Sequence, residues 1–411
     1  MSQPLKIPIR SQKGHQTNFK KPSTTASTPT ILYKPSAREI LLPTEILTQI
    51  LSYIPLRPST QSIFWACSLV SRSWYSASIS SLYSRPHLHG GNFHKFVDTV
   101  CPSKNAHIRQ SALAVLVTRL DMGELVHNAS KSLTARLLGR LKGNIEEFVA
   151  PQASFGINSF AALSKCAKLR HLDLSLISAS ISNKLLFQTL KNLQDLETLF
   201  FPRSSSSDLR GDSGREETPY EWPPKLKALH LAGGIDDYFL STHLINISKS
   251  LERLSIQHCS HVHVSPLLDT LQILGPQLKH LTIRHPMSQL YQGALDEILT
   301  ACPSLIALRV SADYITNLLF TDISSHPLQI LDLDCSPTAS PDIAIAPAAV
   351  YLAVEEGRLG DLRSVRVSAR LAWSATEGNR NDVRDLEEVL GDREMEDPKG
   401  VRAGVWSVVG D

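Results

Sequence analysis

The chain has 411 residues, of which 42% are hydrophobic and 20% charged, and its formal net charge is +3. It is long enough to bury a large core, and the absence of any run of about 18 apolar residues argues against a membrane-spanning helix. Six cysteines without paired spacing predict reduced thiols rather than a disulfide framework. We therefore expect an intracellular protein, cytoplasmic or nuclear, that does not enter the membrane.

Residues 1–38 carry seven lysines and arginines and no acidic residue, and they are rich in serine, threonine and proline. This composition predicts a disordered basic leader. The basic residues are scattered, so a solvated leader, an electrostatic arm and a weak targeting signal all remain open. Interleaved aromatic residues, which single-strand nucleic-acid binders use for stacking, are missing, and we expect no nucleic-acid partner.

Residues 39–85 predict three short helices. The residues Ile46, Leu47, Ile50, Leu51 and Ile54 form an apolar stripe with helical spacing, and a proline follows at position 55, where it ends the helix. Two further apolar segments, 63–70 and 72–83, predict the second and third helices. A core of this size is barely sufficient alone, so the module should rest on the following residues, on a partner, or on both.

This segment resembles an F-box. The resemblance lies in LPTEIL at 42–47, ILSYIP at 50–55 and CSLVSRSW at 67–74. It implies docking on a Skp-type adaptor, held in turn by a cullin scaffold with a RING protein. The residues that the resemblance assigns to adaptor binding are Leu42, Pro43, Ile46, Leu47, Ile50, Val70 and Trp74. Leu51 and Leu69 are expected mainly in the core. A helical cap that only shields the next domain remains the alternative.

Residues 86–376 contain a recurring phrase, apolar-x-x-apolar-x-apolar. Its ten copies begin every 23 to 34 residues, at Val117, Ile145, Leu169, Leu196, Leu226, Leu251, Leu278, Leu305, Leu328 and Leu362. The last two apolar positions of each copy alternate as in a short strand, and helix-like stretches lie between copies, for example at 184–193, 238–249, 266–274 and 290–301. The period resembles that of leucine-rich repeats, and an array of helical HEAT-type repeats is the alternative.

The predicted fold class is therefore α/β: a three-helix F-box, then an irregular leucine-rich-repeat solenoid with parallel strands on its concave face and helices on its convex face. Residues between the buried strand positions should face the concave surface. The predicted central column is Asp121, Val149, Asp173, Phe200, His230, Ser255, Thr282, Arg309, Asp332 and Arg366. The predicted column two residues earlier is Arg119, Glu147, His171, Thr198, Ala228, Arg253, His280, Ala307, Ile330 and Ser364.

Five basic or histidine side chains of neighbouring repeats form the candidate substrate-binding patch: His230, Arg253, His280, Arg284 and Arg309. Arginine pairs bidentately with phosphate and carboxylate groups, so the patch predicts recognition of a phosphorylated or acidic protein segment. A solvated concave face without a collective role is the alternative.

Two segments depart from the repeat pattern. Residues 202–224 form a polar insertion rich in serine and charge, which predicts an exposed loop, either inert or phosphorylated. Residues 377–411 form a charged tail, with one predicted helix around 383–390 and a predicted role of residues 405–409 as a cap on the last repeat.

No catalytic residue, cofactor or metal is predicted. The GDSG sequence at 211–214 has no matching histidine and aspartate, and the residues His258, Cys259, His261 and His263 lack the paired spacing of a zinc site. The resemblance implies a non-catalytic substrate-recognition subunit of an SCF-type (Skp–cullin–F-box) ubiquitin ligase, with an unidentified protein substrate. A leucine-rich-repeat scaffold or adaptor outside any ligase is the alternative.

Overall fold

The computed structural model of the chain describes residues 42–103, 111–126, 129–206, 219–338 and 345–408. They belong to two units, Met1–Pro43 and Thr44–Asp411, and Leu42 and Pro43 are the described part of the first. The predicted basic leader lies outside the described residues. No helix within the described ranges is long and apolar enough to cross a membrane. The predicted domain boundaries remain predictions.

A parallel sheet of eleven strands forms one face of the larger unit. Its strands, in spatial order, are β1 (Arg119–Asp121), β2 (Glu147–Val149), β3 (His171–Asp173), β5 (Thr198–Phe200), β7 (Ala228–Ala232), β8 (Arg253–Gln257), β9 (His280–Arg284), β10 (Ala307–Ser311), β11 (Ile330–Asp334), β12 (Ser364–Ser368) and β13 (Gly404–Val408). Two short strands, β4 (Ile181–Ser182) and β6 (Ser205–Ser206), pair separately. The continuous sheet confirms the leucine-rich-repeat prediction, and the helical-array alternative is wrong.

The pairing register confirms both predicted columns. Arg119, Glu147, His171, Thr198 and Ala228 pair in turn, and the series continues to Ser364. The apolar residues of each phrase, between the columns, lie in one continuous buried core. Stacked repeats therefore bury the apolar face that a single strand cannot bury alone.

Helices fill the remaining layer. The α-helices of the described residues are α1 (Thr44–Ser52), α2 (Gln61–Ser68), α3 (Arg72–Ser84), α4 (Phe93–Val100), α5 (Lys131–Leu141), α6 (Ile157–Leu163), α7 (Asn183–Leu190), α8 (Val264–Leu274), α9 (Ile298–Ala301), α10 (Pro347–Glu355) and α11 (Glu377–Glu396). Short 3₁₀ and π turns lie between several of them.

The predicted repeat helices are confirmed unevenly. The structure has α7 and α8 where 184–193 and 266–274 were expected, but residues 238–249 form only a π turn, Phe239–His243, and a 3₁₀ turn, Leu244–Asn246. Only α9 forms within 290–301, where Gly293 adopts a left-handed φ of 86° before the helix begins. Most apolar residues of these two segments are buried all the same, with Tyr291 as an exposed exception. Burial of the face, and not helix length, is therefore what the repeats share.

Both ends of the polar insertion pack against neighbouring residues of the repeats. Its first residues run beside Gly233 and Gly234, where an added Cβ would lie 1.7 Å from the Arg203 carbonyl oxygen and 1.8 Å from that of Ser205. Its last residues bring Trp222 into the core, with the indole N–H donating to the His243 carbonyl at 2.8 Å. Residues 207–218, the middle of the insertion and the site of the GDSG sequence, lie outside the described residues.

The C-terminal residues complete the solenoid as an additional repeat. The predicted tail helix is α11, and β13 pairs in parallel with β12. Arg363, only 1% exposed, fixes this cap: its guanidinium meets Glu394 at 3.1 Å and donates to the carbonyls of Arg393 and Asp397. Terminal repeats require such a cover over their apolar edge.

The helices α1 to α3 dock on the first repeat. The Ser84 carbonyl at the end of α3 accepts bonds from the backbone N–H and the hydroxyl of Thr118, at 2.9 and 3.0 Å. Arg85 pairs with Glu147 of β2 at 2.7 Å. The module thus adjoins the N-terminal end of the strand sheet.

Candidate functional site

Helix α1 carries two apolar stripes. Leu47 and Leu51, one helical turn apart, are each 2% exposed and pack with Phe64 of α2 and Ala77 of α3 in a small core of their own. On the neighbouring stripe, Ile46, Ile50 and Tyr53 recur at the same helical spacing and remain exposed. One stripe holds the module together, which leaves the other free for a partner.

The exposed stripe is accompanied by other exposed apolar side chains on the same three-helix module. Of the twenty large hydrophobic side chains that are exposed among the described residues, ten lie between positions 42 and 75. Those carried by the three helices and their connections are Ile46, Ile50, Tyr53, Leu56, Ile63, Trp65, Leu69, Val70 and Tyr75, and we call them the apolar helix face. Exposed apolar residues that concentrate in this way mark an interaction site.

Two sequence predictions about this face are wrong. Leu47, predicted to bind the adaptor, is buried in the module core, because the five-residue stripe of α1 is in fact two stripes and Leu47 points inward. Leu69, predicted in the core, is 67% exposed. Helix α2 ends at Ser68 and Ser71 caps α3 by accepting from the Trp74 N–H at 3.3 Å, so Leu69 lies in the turn between them, where helical periodicity no longer applies.

The other predicted adaptor residues fall into three groups. Ile46, Ile50 and Val70 are exposed on the apolar helix face, whereas Trp74 is half-buried against the module core. Leu42 and Pro43 belong to the other unit and are exposed. Their contact with an adaptor remains a prediction.

Several members of the apolar helix face were not predicted. Tyr53 is 79% exposed, and Trp65 and Ile63 of α2 also point outward. A usable signal was present in the composition of residues 39–85, which contain more large apolar side chains than three short helices can bury. That excess indicates a second apolar surface without identifying its members.

The middle of the concave face is aromatic. The Phe200 and His230 rings stack in parallel with centroids 3.9 Å apart, and His171 lies against the other side of Phe200 at 5.5 Å. Burial lowers the pKa of both histidines, so their rings are neutral near pH 7. Phe200 and His230 offer a flat, uncharged, partly exposed surface on two adjacent strands, and the tilted His171 ring extends it to a third.

Two arginines of the predicted basic patch are already neutralised. Arg284 forms an ion pair with Asp334, which is nearly buried, and Arg309 lies 3.4 Å from Asp332 and 3.8 Å from Asp334. These aspartates lie on β11, one strand beyond Arg309. The Arg309 pairs connect neighbouring repeats, and the Arg284 pair reaches from β9 across β10 to β11. Both reduce the positive charge that a ligand would meet.

The remaining patch residues differ in charge state. Arg253 is exposed and has no ion pair within the described part of the chain, and it pairs in register with His280 on the next strand. Burial lowers the pKa of His280, and the nearby charge of Arg253 lowers it further. The five predicted residues thus comprise one free cation, two paired cations and two neutral rings.

The described residues were also compared with the requirements of a metal site and of a reactive thiol. They contain no group of three or more histidine, cysteine or acidic side chains placed to hold a metal ion. Burial raises the pKa of the Cys166, Cys259 and Cys302 thiols to about 12, so these sulfurs stay protonated and are poor nucleophiles.

Sequence comparison identifies one protein family and two known proteins that this chain resembles. Residues 40–89 match the F-box-like family profile. The chain is 30% identical to F-box protein YDR306C of Saccharomyces cerevisiae over an alignment of 376 residues that covers 87% of this chain and 75% of that protein. It is 29% identical to Protein pof5 of Schizosaccharomyces pombe over 330 residues, 80% of this chain and 89% of the relative.

Among solved structures, a chain of the yeast Rad7 and Elc1 complex matches with a TM-score of 0.41 at 14% identity, covering 79% of this chain and 87% of that one. The leucine-rich-repeat-containing protein LegL7 from Legionella pneumophila matches with a TM-score of 0.34 at 14% identity, covering 66% and 82%.

Proposed function

Because the chain belongs to the F-box protein family, we propose that it is the substrate-recognition subunit of an SCF-type ubiquitin ligase. The observation that carries this proposal is the apolar helix face, which remains uncovered on a module whose core is otherwise complete. A Skp-type adaptor would cover it, and a cullin–RING scaffold would bind through that adaptor.

Each of the two surfaces would bind a different partner. The apolar helix face would hold the adaptor, and the concave face of the repeats would hold the target protein. The chain would perform no bond chemistry of its own. It would raise the effective concentration of the target near a ubiquitin-charged conjugating enzyme, which requires only two binding surfaces on one rigid body.

Co-purification with a recombinant Skp-type adaptor tests the first surface. Ile50→Asp with Leu69→Asp places two charges on the apolar helix face and should abolish capture, because each carboxylate would have to lose its hydration on binding. The matched control is Ile273→Asp with Leu318→Asp, two similarly exposed apolar side chains on the repeats, which should leave capture unchanged. Leu42→Ala with Pro43→Ala tests the remaining predicted contacts.

Assembly with the cullin and the RING protein tests the ligase role. The complex of chain and adaptor should co-elute with both from a sizing column. A complex that binds the adaptor yet excludes the cullin would favour a scaffold or adaptor outside any ligase. Failure of the folded wild type to bind the adaptor would refute the proposal altogether.

A further inference from the structure

The concave face has a charge gradient along the axis of the solenoid. Its outward positions on the first four strands of the sheet carry one arginine, Arg119, and three carboxylates, those of Asp121, Glu147 and Asp173. From β8 to β12, four arginines face two aspartates at these positions: Arg253, Arg284, Arg309 and Arg366 against Asp332 and Asp334. The first half is net acidic and the second net basic.

The aromatic stack lies between the two halves. Phe200 and His230 are half-buried in the free chain, and the neighbouring positions Thr198 and Ala228 are small and uncharged. A central, uncharged aromatic surface flanked by charged positions is the arrangement of an interface hot spot. The neutral state of His230 removes the cost of dehydrating a charge there.

Some charged residues of the gradient already form ion pairs within the chain. Arg119 meets Asp121 at 2.8 Å and Glu147 at 3.1 Å, and Arg85 approaches Glu147 from α3. Asp173 accepts bonds from the backbone and the hydroxyl of Ser175 but forms no ion pair among the described residues. At the other end Arg253 and Arg366 are exposed and form no such pair there. These three residues supply the charges that a ligand meets.

We propose that this face binds an extended protein segment in one direction, with a basic residue over Asp173, an aromatic or large aliphatic residue on the Phe200–His230 stack, and an acidic residue over Arg253. This inference rests on the proposed role of the repeats in target binding and specifies the chemistry of that target. The basic group belongs toward the N-terminal repeats and the acidic group toward the C-terminal repeats.

The strand spacing fixes the spacing of the segment. Neighbouring strands lie about 4.8 Å apart, so Asp173 is about 5 Å and Arg253 about 10 Å from the strand of Phe200, on opposite sides. An extended chain advances about 3.3 Å per residue. Side chains that face the same surface lie two residues apart along an extended chain. The basic residue is therefore two positions before or after the apolar anchor, and the acidic residue is two or four positions away on the other side.

Two synthetic peptides test the proposal with the full chain bound to its adaptor. The first has the order lysine, alanine, tryptophan, alanine, alanine, alanine, aspartate. The second has aspartate in place of the lysine, so that a carboxylate lies over Asp173 in either chain polarity. Binding is measured by fluorescence anisotropy of a labelled terminus. The first peptide should bind about fivefold or more tightly than the second, since only the first can place a basic group over Asp173 and an acidic group over Arg253.

Variants identify the surface. Phe200→Ala should weaken the first peptide at least tenfold, whereas Ile157→Ala, an exposed apolar residue of α6, should leave it unchanged. Arg253→Glu should also weaken the first peptide, because the aspartate of the peptide would then meet a carboxylate. Equal affinities, no binding by either peptide at millimolar concentration, or an unchanged affinity in Phe200→Ala would each overturn the proposal.

Adaptor capture is measured on the same preparations. Loss of the peptide preference with intact adaptor binding refutes only the proposed target chemistry. Loss of adaptor binding by the wild type refutes the proposed function itself.

Discussion

Replacement of Arg363 by methionine should release the C-terminal cap. The guanidinium donates to the carbonyls of Gly360 and Leu362 on its own repeat, both at 2.9 Å, and to those of Arg393 and Asp397 at the end of α11. Its Nε meets the Glu394 carboxylate at 3.1 Å. Methionine fills similar space but leaves these oxygens without their donor.

The size of the effect follows from the burial of Arg363, which is 1% exposed. Removal of one partner of a buried ion pair costs about 3–5 kcal/mol, and the lower value applies here because the Glu394 side chain is 23% exposed. In a solenoid this loss acts on the repeat concerned and its neighbours. Opening of the cap should therefore become about two to three orders of magnitude more favourable, or as much as the cap's own stability allows.

Hydrogen exchange of the full chain measures this opening. Amides of α11 and β13 should exchange faster in Arg363→Met, while those of β1 to β9 stay protected. Arg384→Met is the matched control, because Arg384 is exposed on α11 and its side-chain hydrogen bond within the described part of the chain goes to the nearby Asn381. Adding Glu394→Gln should recover part of the loss, since it removes the unpaired charge. Unchanged exchange in Arg363→Met, or faster exchange spread evenly over all repeats, would refute the reasoning.

Three further predictions concern other parts of the chain. Phe64→Ala should destabilise the helical module by about 3–5 kcal/mol, seen as faster proteolysis of α1 to α3, because Phe64 is 1% exposed in a core of four buried side chains. Gly234→Ala should lower the midpoint of thermal unfolding, since the new Cβ would meet the Ser205 carbonyl, whereas Gly139→Ala, with open space around it in α5, should raise it slightly. Urea midpoints should fall as the pH drops from 7.5 to 6, because burial lowers the pKa of several histidines below the usual value of about 6.5 and the unfolded chain then binds more protons; an unchanged midpoint would contradict this. The histidines concerned are His171, His230, His243, His258, His280 and His326.

The repeat register was predictable because burial imposes it. Each phrase places apolar residues where only a stacked strand can bury them, so Phe200 and His230 were assigned to one column before any pairing was known. The columns themselves contain the aromatic stack, although the sequence gives no indication that the two rings lie parallel.

The site chemistry was harder to predict because it depends on distant partners. Arg284 and its partner Asp334 are 50 residues apart, and nothing local to Arg284 indicates that its charge is compensated. Leu47 is buried and Leu69 exposed, the reverse of the prediction, for a related reason. Periodicity shows that α1 is apolar on a wide arc, but only packing against α2 and α3 decides which half of the arc is covered.

The helices of the repeats were only partly predictable as well. The segment at 238–249 is as apolar as α8, yet it folds into a π turn and a 3₁₀ turn. Neighbouring aromatic residues explain why this repeat is stable without a regular helix, because Phe187, Trp222 and Phe239 pack around this position. Large rings fill the volume that a longer helix occupies elsewhere.

Calorimetric titration of the purified full chain with a purified Skp-type adaptor tests the central claim most directly. We predict saturable one-to-one binding with a clearly negative heat-capacity change, because the apolar helix face leaves water on docking. The Ile50→Asp and Leu69→Asp variant should lose both the binding and this signature. A folded wild-type chain that gives no binding heat at any temperature tested would contradict the account.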